Sequence, residues 1–268
     1  MNNDIVSPIR SLQVEALSVH IYTTADQAAL AASHQAQKIL QATLAEQEEA
    51  NVVFATGRSQ ITCLQHLSDP TQSSLDWSRI NGFHLDEYLG IAADHPASFR
   101  QYLRTHLTNK VSIRRFYEID GDGLLPIEIC QQYEQILRSR SLDLCFLGIG
   151  ANGHLAFNDP DVANFDDAAW VKIVRLDETN RQQQLSSTAF ATLSAVPQYA
   201  FTLTLSAIRA VRHSLCIAFG EGKADIIKTM LTAVVTPHCP ASILRQVPRA
   251  TLLIDQSAAS LLPDEFSE

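Results

Sequence analysis

The stretch "LDLCFLGIGANGHLAFNDP", residues 142–160, decides the fold because an apolar run of strand length passes directly into a glycine-rich loop. Such a run, bounded by glycines, is typical of a buried strand in a parallel sheet. Residues 148–153 spell G-x-G-x-x-G, which is also the fingerprint of a dinucleotide site. The loop then adds His154 and Asp159, which such a site does not need.

Two uses of this loop are open, and its surroundings favour acid–base chemistry over a dinucleotide. The motif lies in the middle of the chain, and Pro160 prevents the following segment from continuing as a long helix. His154 is the side chain best suited to exchange protons near neutral pH, and Asp159 can orient it. We expect the glycines to leave room for a backbone to approach a ligand. The alternative is a capped loop with a hydrogen-bonded histidine.

Similar apolar stretches recur along the chain and alternate with helical patterns. We expect strands at 17–22, 50–56, 80–85, 114–119, 142–149, 171–176, 199–205, 214–220 and 250–255. We expect helices, the first with Thr24 as its N-cap, at 25–48, 97–107, 126–139, 178–187 and 222–232. This alternation predicts an α/β fold, a three-layer αβα arrangement whose mostly parallel, Rossmann-like sheet is covered by helices on both faces. No repeat or linker interrupts the pattern, so residues 1–268 are predicted to form a single domain.

Composition and charge narrow the classes of function. The chain has 268 residues, of which 46% are hydrophobic and 18% charged, and its formal net charge is −9. A negative surface argues against nucleic acid or an anionic membrane as the main partner, and no apolar run approaches the roughly 18 residues of a membrane span. The five cysteines are scattered without a C-x-x-C pair, which indicates no metal site or disulfide framework and favours reduced thiols in the cytoplasm.

Ligands bind at the carboxyl ends of the strands in such folds, so the candidate loops follow residues 56, 85, 149 and 220. The loop after residue 85 begins with two adjacent carboxylates, Asp86 and Glu87. Neighbouring side chains on an extended chain point to opposite sides, so one carboxylate can face a pocket as a base while the other makes a structural contact. The alternative is a solvated turn.

Two further loops have the character of anion sites. In "FATGRSQ", residues 54–60, the start of a helix offers free N–H groups to an anion beside Thr56, Gly57, Arg58 and Ser59. In "FGEGKAD", residues 219–225, Lys223 can reach a phosphate as a point charge, although the spacing is not that of a Walker A loop. The alternatives are an ordinary capped helix and a surface lysine. Two anion sites beside two acid–base groups predict a small phosphorylated substrate.

Five segments in order along the chain resemble one family. They are "ATGRS" (55–59), "FHLDEYLGIAADHPASF" (83–99), "GIGANGHLAFNDP" (148–160), "VPQYAFTLTLSAI" (196–208) and "GEGKA" (220–224). Together they make the chain similar to the glucosamine-6-phosphate deaminases (isomerases), within a superfamily that includes 6-phosphogluconolactonase. The lactonases carry Asp-Glu-Arg where this chain has Tyr88 after its two acids, so the resemblance lies on the deaminase side.

The resemblance implies conversion of glucosamine 6-phosphate and water to fructose 6-phosphate and ammonia. It implies that Asp86 is the base that moves a proton from C2 towards C1 of the open-chain sugar. It implies that His154 opens the sugar ring, helped by Asp159 and oriented by Asn152. The phosphate cradle it implies consists of Thr56, Gly57 and Ser59 with Lys223. No redox cofactor or metal is implied, the partner is a small sugar phosphate, and a homo-oligomer is compatible with the family.

Four departures from the family pattern bear on specificity. Asp159 stands where many members have Glu, and Asn152 stands where some have Asp. Arg58 and Gln60 replace a usual Gly and Pro in the phosphate loop. Near residue 184, where some members supply an arginine for the phosphate, this chain has "QQQ". Our hypothesis is that Arg58 compensates for that arginine.

Three other functions remain as alternatives. A 6-phosphogluconolactonase would use His154 as the base for attack of water on a lactone. A deaminase of a related amino sugar, such as galactosamine 6-phosphate, would use the same groups. A sugar-phosphate sensor without catalysis would not need to keep Asp86, His154 and an acid at 159 together.

Overall fold

The computed structural model describes residues 6–187 and 190–263, and within these ranges residues 144–148 of the apolar run form a strand near the centre of an eight-stranded sheet. In chain order, the strands of both sheets are β1 (Arg10–Val14), β2 (Leu17–Tyr22), β3 (Ala50–Phe54), β4 (Ile80–His84), β5 (Asp86–Tyr88), β6 (Arg115–Tyr117), β7 (Leu144–Gly148), β8 (Val171–Arg175), β9 (Tyr199–Leu203), β10 (His213–Ala218) and β11 (Ala250–Asp255).

The large sheet has the strand order β1-β2-β11-β10-β7-β3-β4-β6. Every pairing in it is parallel except that of β1 with β2. Strands such as β3 and β7 are mostly apolar and almost entirely buried because helices or loops cover both of their faces. The chain extends the sheet in one direction from β3 and in the other from β7, which places a topological switch point between these two strands.

The α-helices lie close to the ranges predicted from the sequence. They are α1 (Ala25–Glu46), α2 (Arg58–Ser68), α3 (Phe99–Leu103), which continues as a π-turn over Arg104–Thr108, α4 (Pro126–Arg138), α5 (Glu178–Ser187), α6 (Leu205–Arg209) and α7 (Ala224–Thr232). Thr24 caps α1 by accepting a hydrogen bond from the Gln27 N–H at 3.2 Å, as predicted. The predicted three-layer α/β fold class is therefore confirmed.

The strands predicted at 171–176 and 199–205 form a second, antiparallel sheet rather than part of the parallel one. Its order is β5-β9-β8, and Asp86, predicted to lie in a loop, pairs with Thr202 of β9. The physical reason is that the chain leaves β4 through one buried residue, Leu85, and continues extended alongside β9. An apolar run does not reveal which sheet it joins.

Two clusters of buried apolar side chains pack against these sheets. The larger one fills the space between the parallel sheet and its helices, and the smaller one surrounds the buried ring of Tyr88. Over residues 6–187 and 190–263, no helix is both long enough and apolar enough to cross a membrane. The prediction that residues 1–268 form one domain stays a prediction.

Candidate active site

Four strand ends line one cavity of about 690 Å³. The strands β10, β7, β3 and β4 are neighbours in the sheet, so the loops that follow them meet at its carboxyl edge, across the switch point. Of the predicted site residues, those that line the cavity are Thr56, Gly57, Arg58, Ser59, Asp86, His154 and Lys223. The other two, Asn152 and Asp159, contact His154 from behind.

We call one part of this cavity the acid–base wall, which consists of Asp86 and of His154 with the residues that hold it: Asn152, Asp159 and Asn180. The other part is the phosphate end, which consists of Thr56, Gly57, Arg58, Ser59 and Lys223. The two parts differ in burial: the first is buried except for the half-buried Asn152, and the second is half-buried or exposed.

Asp86 is a buried carboxylate that faces the cavity. The residue is only 7% exposed, and its Oδ1 atom has no hydrogen-bond partner among the described residues. Burial raises the pKa of Asp86 well above its ordinary value, and the neighbouring Glu87 carboxylate raises it further. An unpaired carboxylate with a raised pKa is a strong candidate for a general base.

Glu87 has the opposite environment. It is 0% exposed, and it accepts hydrogen bonds from the Ser98 hydroxyl and from the backbone N–H groups of Tyr88, Phe99 and Arg100, at 2.8–3.1 Å. Three of these donors lie at the start of α3, so Glu87 caps that helix. Burial raises the pKa of Glu87, and these hydrogen bonds oppose the rise. The two adjacent carboxylates thus divide into one that faces the cavity and one that holds the structure.

One glycine of the 148–153 motif, Gly150, makes room for the imidazole of His154. A Cβ atom on Gly150 would lie 2.1 Å from the imidazole Cε1 of His154, so this glycine makes room for a side chain. Gly153 has φ +85°, which favours glycine. The space beside Gly150 is occupied by His154, whereas a Cβ atom on Gly153 would lie 3.0 Å from the Ile226 Cδ1 atom. Gly148 and Gly150 both line the cavity, so the expectation that the glycines leave room for a backbone to approach a ligand stays a prediction.

His154 is fixed through its Nδ1 atom. This atom lies 2.7 Å from Asn152 Oδ1 and 3.0 Å from Asp159 Oδ1. Because both neighbours are acceptors, Nδ1 carries a proton and Nε2 is the atom left for the cavity. Asn152 also donates to Asp159 Oδ1 at 2.9 Å, so the three side chains form one hydrogen-bonded group.

Asn180 on α5 is a member of this group that the sequence did not identify. Its amide donates to both carboxylate oxygens of Asp159, at 3.1 and 3.0 Å. Burial disfavours the charged form of Asp159, yet the hydrogen bonds and charge of His154, with the amides of Asn152 and Asn180, hold its pKa below the ordinary value. No motif marks Asn180, so no signal in the sequence could have found it.

At the phosphate end, the backbone N–H groups that begin α2 receive no side-chain capping bond. Gly57, with φ +111°, is the N-cap of α2 and makes no side-chain capping bond, so the first N–H groups of this helix stay open to an anion. The Gly57 carbonyl accepts hydrogen bonds from the Tyr102 hydroxyl at 2.7 Å and from the Gln60 N–H at 3.0 Å. Tyr102 thereby fixes the peptide that begins the helix.

Two cations complete the phosphate end. Lys223 donates to the Ile149 carbonyl at 2.6 Å, and burial lowers the pKa of its ammonium group. Arg58 is exposed and makes no ion pair within residues 6–187 and 190–263. Tyr102, His106 and Gln184 also line the cavity, although none of them was predicted as a site residue.

The chain matches the family described as glucosamine-6-phosphate isomerases/6-phosphogluconolactonase over residues 23–253. It belongs to this family. A relative from Geobacillus sp. (strain WCH70), named glucosamine-6-phosphate deaminase, is 34% identical over 87% of this chain and 92% of its own length. A relative of the same name from Listeria innocua is 33% identical over 87% of this chain and 96% of its own length. The predicted family is confirmed.

Solved structures of the family share the fold. A structure described as a monomeric glucosamine-6-phosphate deaminase superimposes with a TM-score of 0.83 at 27% identity, covering 91% of this chain and 99% of that one. The 6-phosphogluconolactonase from Trypanosoma brucei superimposes with a TM-score of 0.75 at 18% identity, covering 91% of this chain and 98% of that one. At that identity, the second likeness concerns the fold alone.

Proposed function

We propose that this chain is a glucosamine-6-phosphate deaminase, which converts glucosamine 6-phosphate and water to fructose 6-phosphate and ammonia. The observation that carries the proposal is the pairing, in one cavity, of the unpaired carboxylate of Asp86 with the fixed imidazole of His154, beside an open phosphate end. The deaminase relatives at 32–34% identity support it.

The phosphate end anchors the substrate. A phosphate accepts hydrogen bonds from the open N–H groups at the start of α2 and from the hydroxyls of Thr56 and Ser59. Lys223 and Arg58 add positive charge. This anchoring orients the sugar so that its C1 and C2 atoms lie at the acid–base wall, and fixed orientation is itself a large part of the rate.

His154 opens the sugar ring. Proton transfer through Nε2, between the C1 hydroxyl and the ring oxygen, breaks the bond between C1 and the ring oxygen and gives the open-chain aldehyde. The imidazolium that forms in this step is stabilised by the Asp159 carboxylate, which lies 3.0 Å from Nδ1. Asn152 orients the ring without adding charge.

Asp86 then moves the proton. It takes the hydrogen from C2 of the open chain as a proton, and the electron pair forms a C1–C2 double bond while the C1 carbonyl π bond opens and its oxygen takes a proton from the C2 ammonium group. The proton held by Asp86 then returns to C1 as the nitrogen lone pair forms the C2–N double bond. The nitrogen on C2 is left as an iminium, and water adds to C2 and expels ammonia, giving the ketone of fructose 6-phosphate. These steps transfer protons and water only, so the predicted need for no redox cofactor or metal stays a prediction consistent with the chemistry.

The proposal also covers the location of the protein and its self-association. The five cysteines are buried and unpaired, which supports a cytoplasmic location. Self-association, which the family resemblance allows, stays a proposal, since one structural relative is described as monomeric.

The experiment that tests the function is product analysis with purified protein. Ammonia and fructose 6-phosphate are measured from glucosamine 6-phosphate, with galactosamine 6-phosphate and 6-phosphogluconolactone assayed alongside. We expect equal amounts of the two products from glucosamine 6-phosphate and no lactone hydrolysis above background. Turnover of the lactone or of the galactosamine compound alone would replace the proposed function with that alternative.

A further inference from the structure

Asn180 holds the carboxylate on which His154 depends. Its side-chain amide donates to Oδ1 of Asp159 at 3.1 Å and to Oδ2 at 3.0 Å, and the residue is only 1% exposed. Asp159 belongs to the loop that carries His154, whereas Asn180 belongs to α5, a separate element. Two elements of the chain therefore meet at this one carboxylate.

The remaining contacts of Asp159 explain why this anchor matters. Oδ1 already faces Nδ1 of His154 and the amide of Asn152, whereas Asn180 supplies the hydrogen bond to Oδ2. Asp159 has a short side chain, and rotation about its Cβ–Cγ bond would carry Oδ1 away from the imidazole. A donor that spans both oxygens fixes that rotation.

The orientation of Asn180 is fixed in turn from the cavity side. Gln184, one turn further along α5, donates through Nε2 to Asn180 Oδ1 at 3.3 Å. Because the amide oxygen accepts this bond, the amide nitrogen must face Asp159. Gln184 itself lines the cavity, so a hydrogen-bonded series runs from one wall through Gln184, Asn180 and Asp159 to His154.

We propose that Asn180 is a positioning residue for the proposed reaction: it acts through Asp159 to hold His154 with Nε2 towards the substrate. This inference rests on the proposed function. Second-sphere partners of this type change activity by about 10- to 100-fold when they are removed.

The charges around Asp159 define the expected pH behaviour. His154 is the titratable group that the described structure places within hydrogen-bonding distance of Asp159, and the facing groups from Asn152 and α5 are neutral amides. The Asn180 amide is one of the groups that keep the pKa of Asp159 low. Its removal raises that pKa, so Asp159 becomes protonated at a higher pH and the acidic limb of kcat moves upward in pH.

The test compares Asn180→Leu with Asn81→Leu. Asn81 is a buried asparagine on β4 whose amide donates to Asn51 Oδ1 at 3.1 Å, away from the strand ends that form the cavity. We expect Asn180→Leu to lower kcat by about 10- to 100-fold with KM changed by less than about threefold, and to shift the acidic limb of kcat upward. We expect Asn81→Leu to lower Tm and leave kcat and its pH profile unchanged. A wild-type kcat and pH profile in Asn180→Leu would overturn the proposal.

The variant Asn180→Asp and the ¹³Cγ titration of Asp159 test the proposal even if Asn180→Leu does not fold or glucosamine 6-phosphate is not turned over. If Asn180→Leu does not fold, Asn180→Asp keeps the size and places two carboxylates about 3 Å apart, so the pair shares a proton and the acidic limb again rises. An unchanged limb there contradicts the proposal. The ¹³Cγ titration of Asp159, assigned with Asp159→Asn, needs no turnover: its midpoint must rise in either variant. That result stands even if glucosamine 6-phosphate proves not to be the substrate.

Discussion

The acid–base wall and the phosphate end belong to one cavity, yet they are built in opposite ways. In the acid–base wall the charged groups are buried, and all except Asp86 are held by hydrogen bonds before any ligand arrives. At the phosphate end, Gly57 and Arg58 are exposed, and the first turn of α2 has no side-chain cap.

This difference follows from what each part must do. Proton transfer needs fixed geometry and a carboxylate whose pKa is raised, and burial provides both at a cost in stability. Binding of an anion needs donors that are free and an open approach, and a helix N-terminus at the surface provides these. Substitutions in the acid–base wall should therefore change kcat, whereas substitutions at the phosphate end should change KM.

The largest effect is expected at Asp86. Asp86→Asn removes the base for C2, so kcat falls by about a thousandfold or more. The same change replaces a buried, unpaired carboxylate with a neutral amide, so Tm stays equal to that of the wild type or rises by about 2 °C. Steady-state kinetics and thermal unfolding at pH 7.5 measure both quantities.

Glu87→Gln is the matched control for that variant. It removes the charge of a carboxylate that accepts hydrogen bonds from Ser98 and from the start of α3, so the free energy of unfolding falls by about 2–4 kcal/mol. A stable Glu87→Gln protein beside an unstable Asp86→Asn protein would reverse the assignment of the two carboxylates.

A smaller loss of turnover is expected at His154. His154→Gln removes the proton-transfer group for ring opening, so kcat falls by about a hundredfold. KM should change little because the phosphate end is untouched, and Tm should remain close to that of the wild type. Comparable kcat values for wild type and variant would contradict the role given to this imidazole.

At the phosphate end the expected change is in KM. Lys223→Met and Arg58→Ala each remove one cation, so each raises KM for the sugar phosphate by about tenfold and leaves kcat within about threefold. Unphosphorylated glucosamine is the matched substrate control, since its kcat/KM should be the same in wild type and variants. A loss of equal size with both substrates would place these cations outside the phosphate site.

The smallest effect is expected at Tyr102. Tyr102→Phe removes the hydroxyl that donates to the Gly57 carbonyl at 2.7 Å, so KM for the sugar phosphate rises by about threefold through looser positioning of the α2 start. Tyr117→Phe is the control, because it also loses one hydroxyl contact, at 2.7 Å with Arg140. Equal KM values in the two variants would show that the Tyr102 hydroxyl does not position the start of α2 for the phosphate.

Much of the parallel sheet and the loops of the site could be predicted, because apolar strands and glycine or polar strand ends leave local marks in a sequence. The run at 142–149 and the loops after 56, 85, 149 and 220 are of this kind. Their convergence then follows from one rule, since the carboxyl ends of neighbouring parallel strands meet at the same edge.

The remaining features depend on contacts between distant elements. Asn180 reaches Asp159 only because α5 packs over the loop that carries His154, and Tyr102 reaches Gly57 because the π-turn that continues α3 packs against α2. Periodicity identifies a helix but not the atom that a polar residue on it will contact. The separate sheet of β5, β9 and β8 escaped prediction for the same reason, since its pairing partners are far apart in sequence.

The most direct test of the central claim follows the proton that Asp86 is proposed to move. Glucosamine 6-phosphate carrying deuterium at C2 is converted by wild type and by Asp86→Asn, and NMR locates the deuterium in the product and in unreacted substrate. We predict that the wild type delivers part of the deuterium to C1 of fructose 6-phosphate, and that Asp86→Asn yields neither product nor loss of deuterium from C2. Loss of deuterium from C2 by Asp86→Asn at the wild-type rate would show that another group removes the C2 hydrogen.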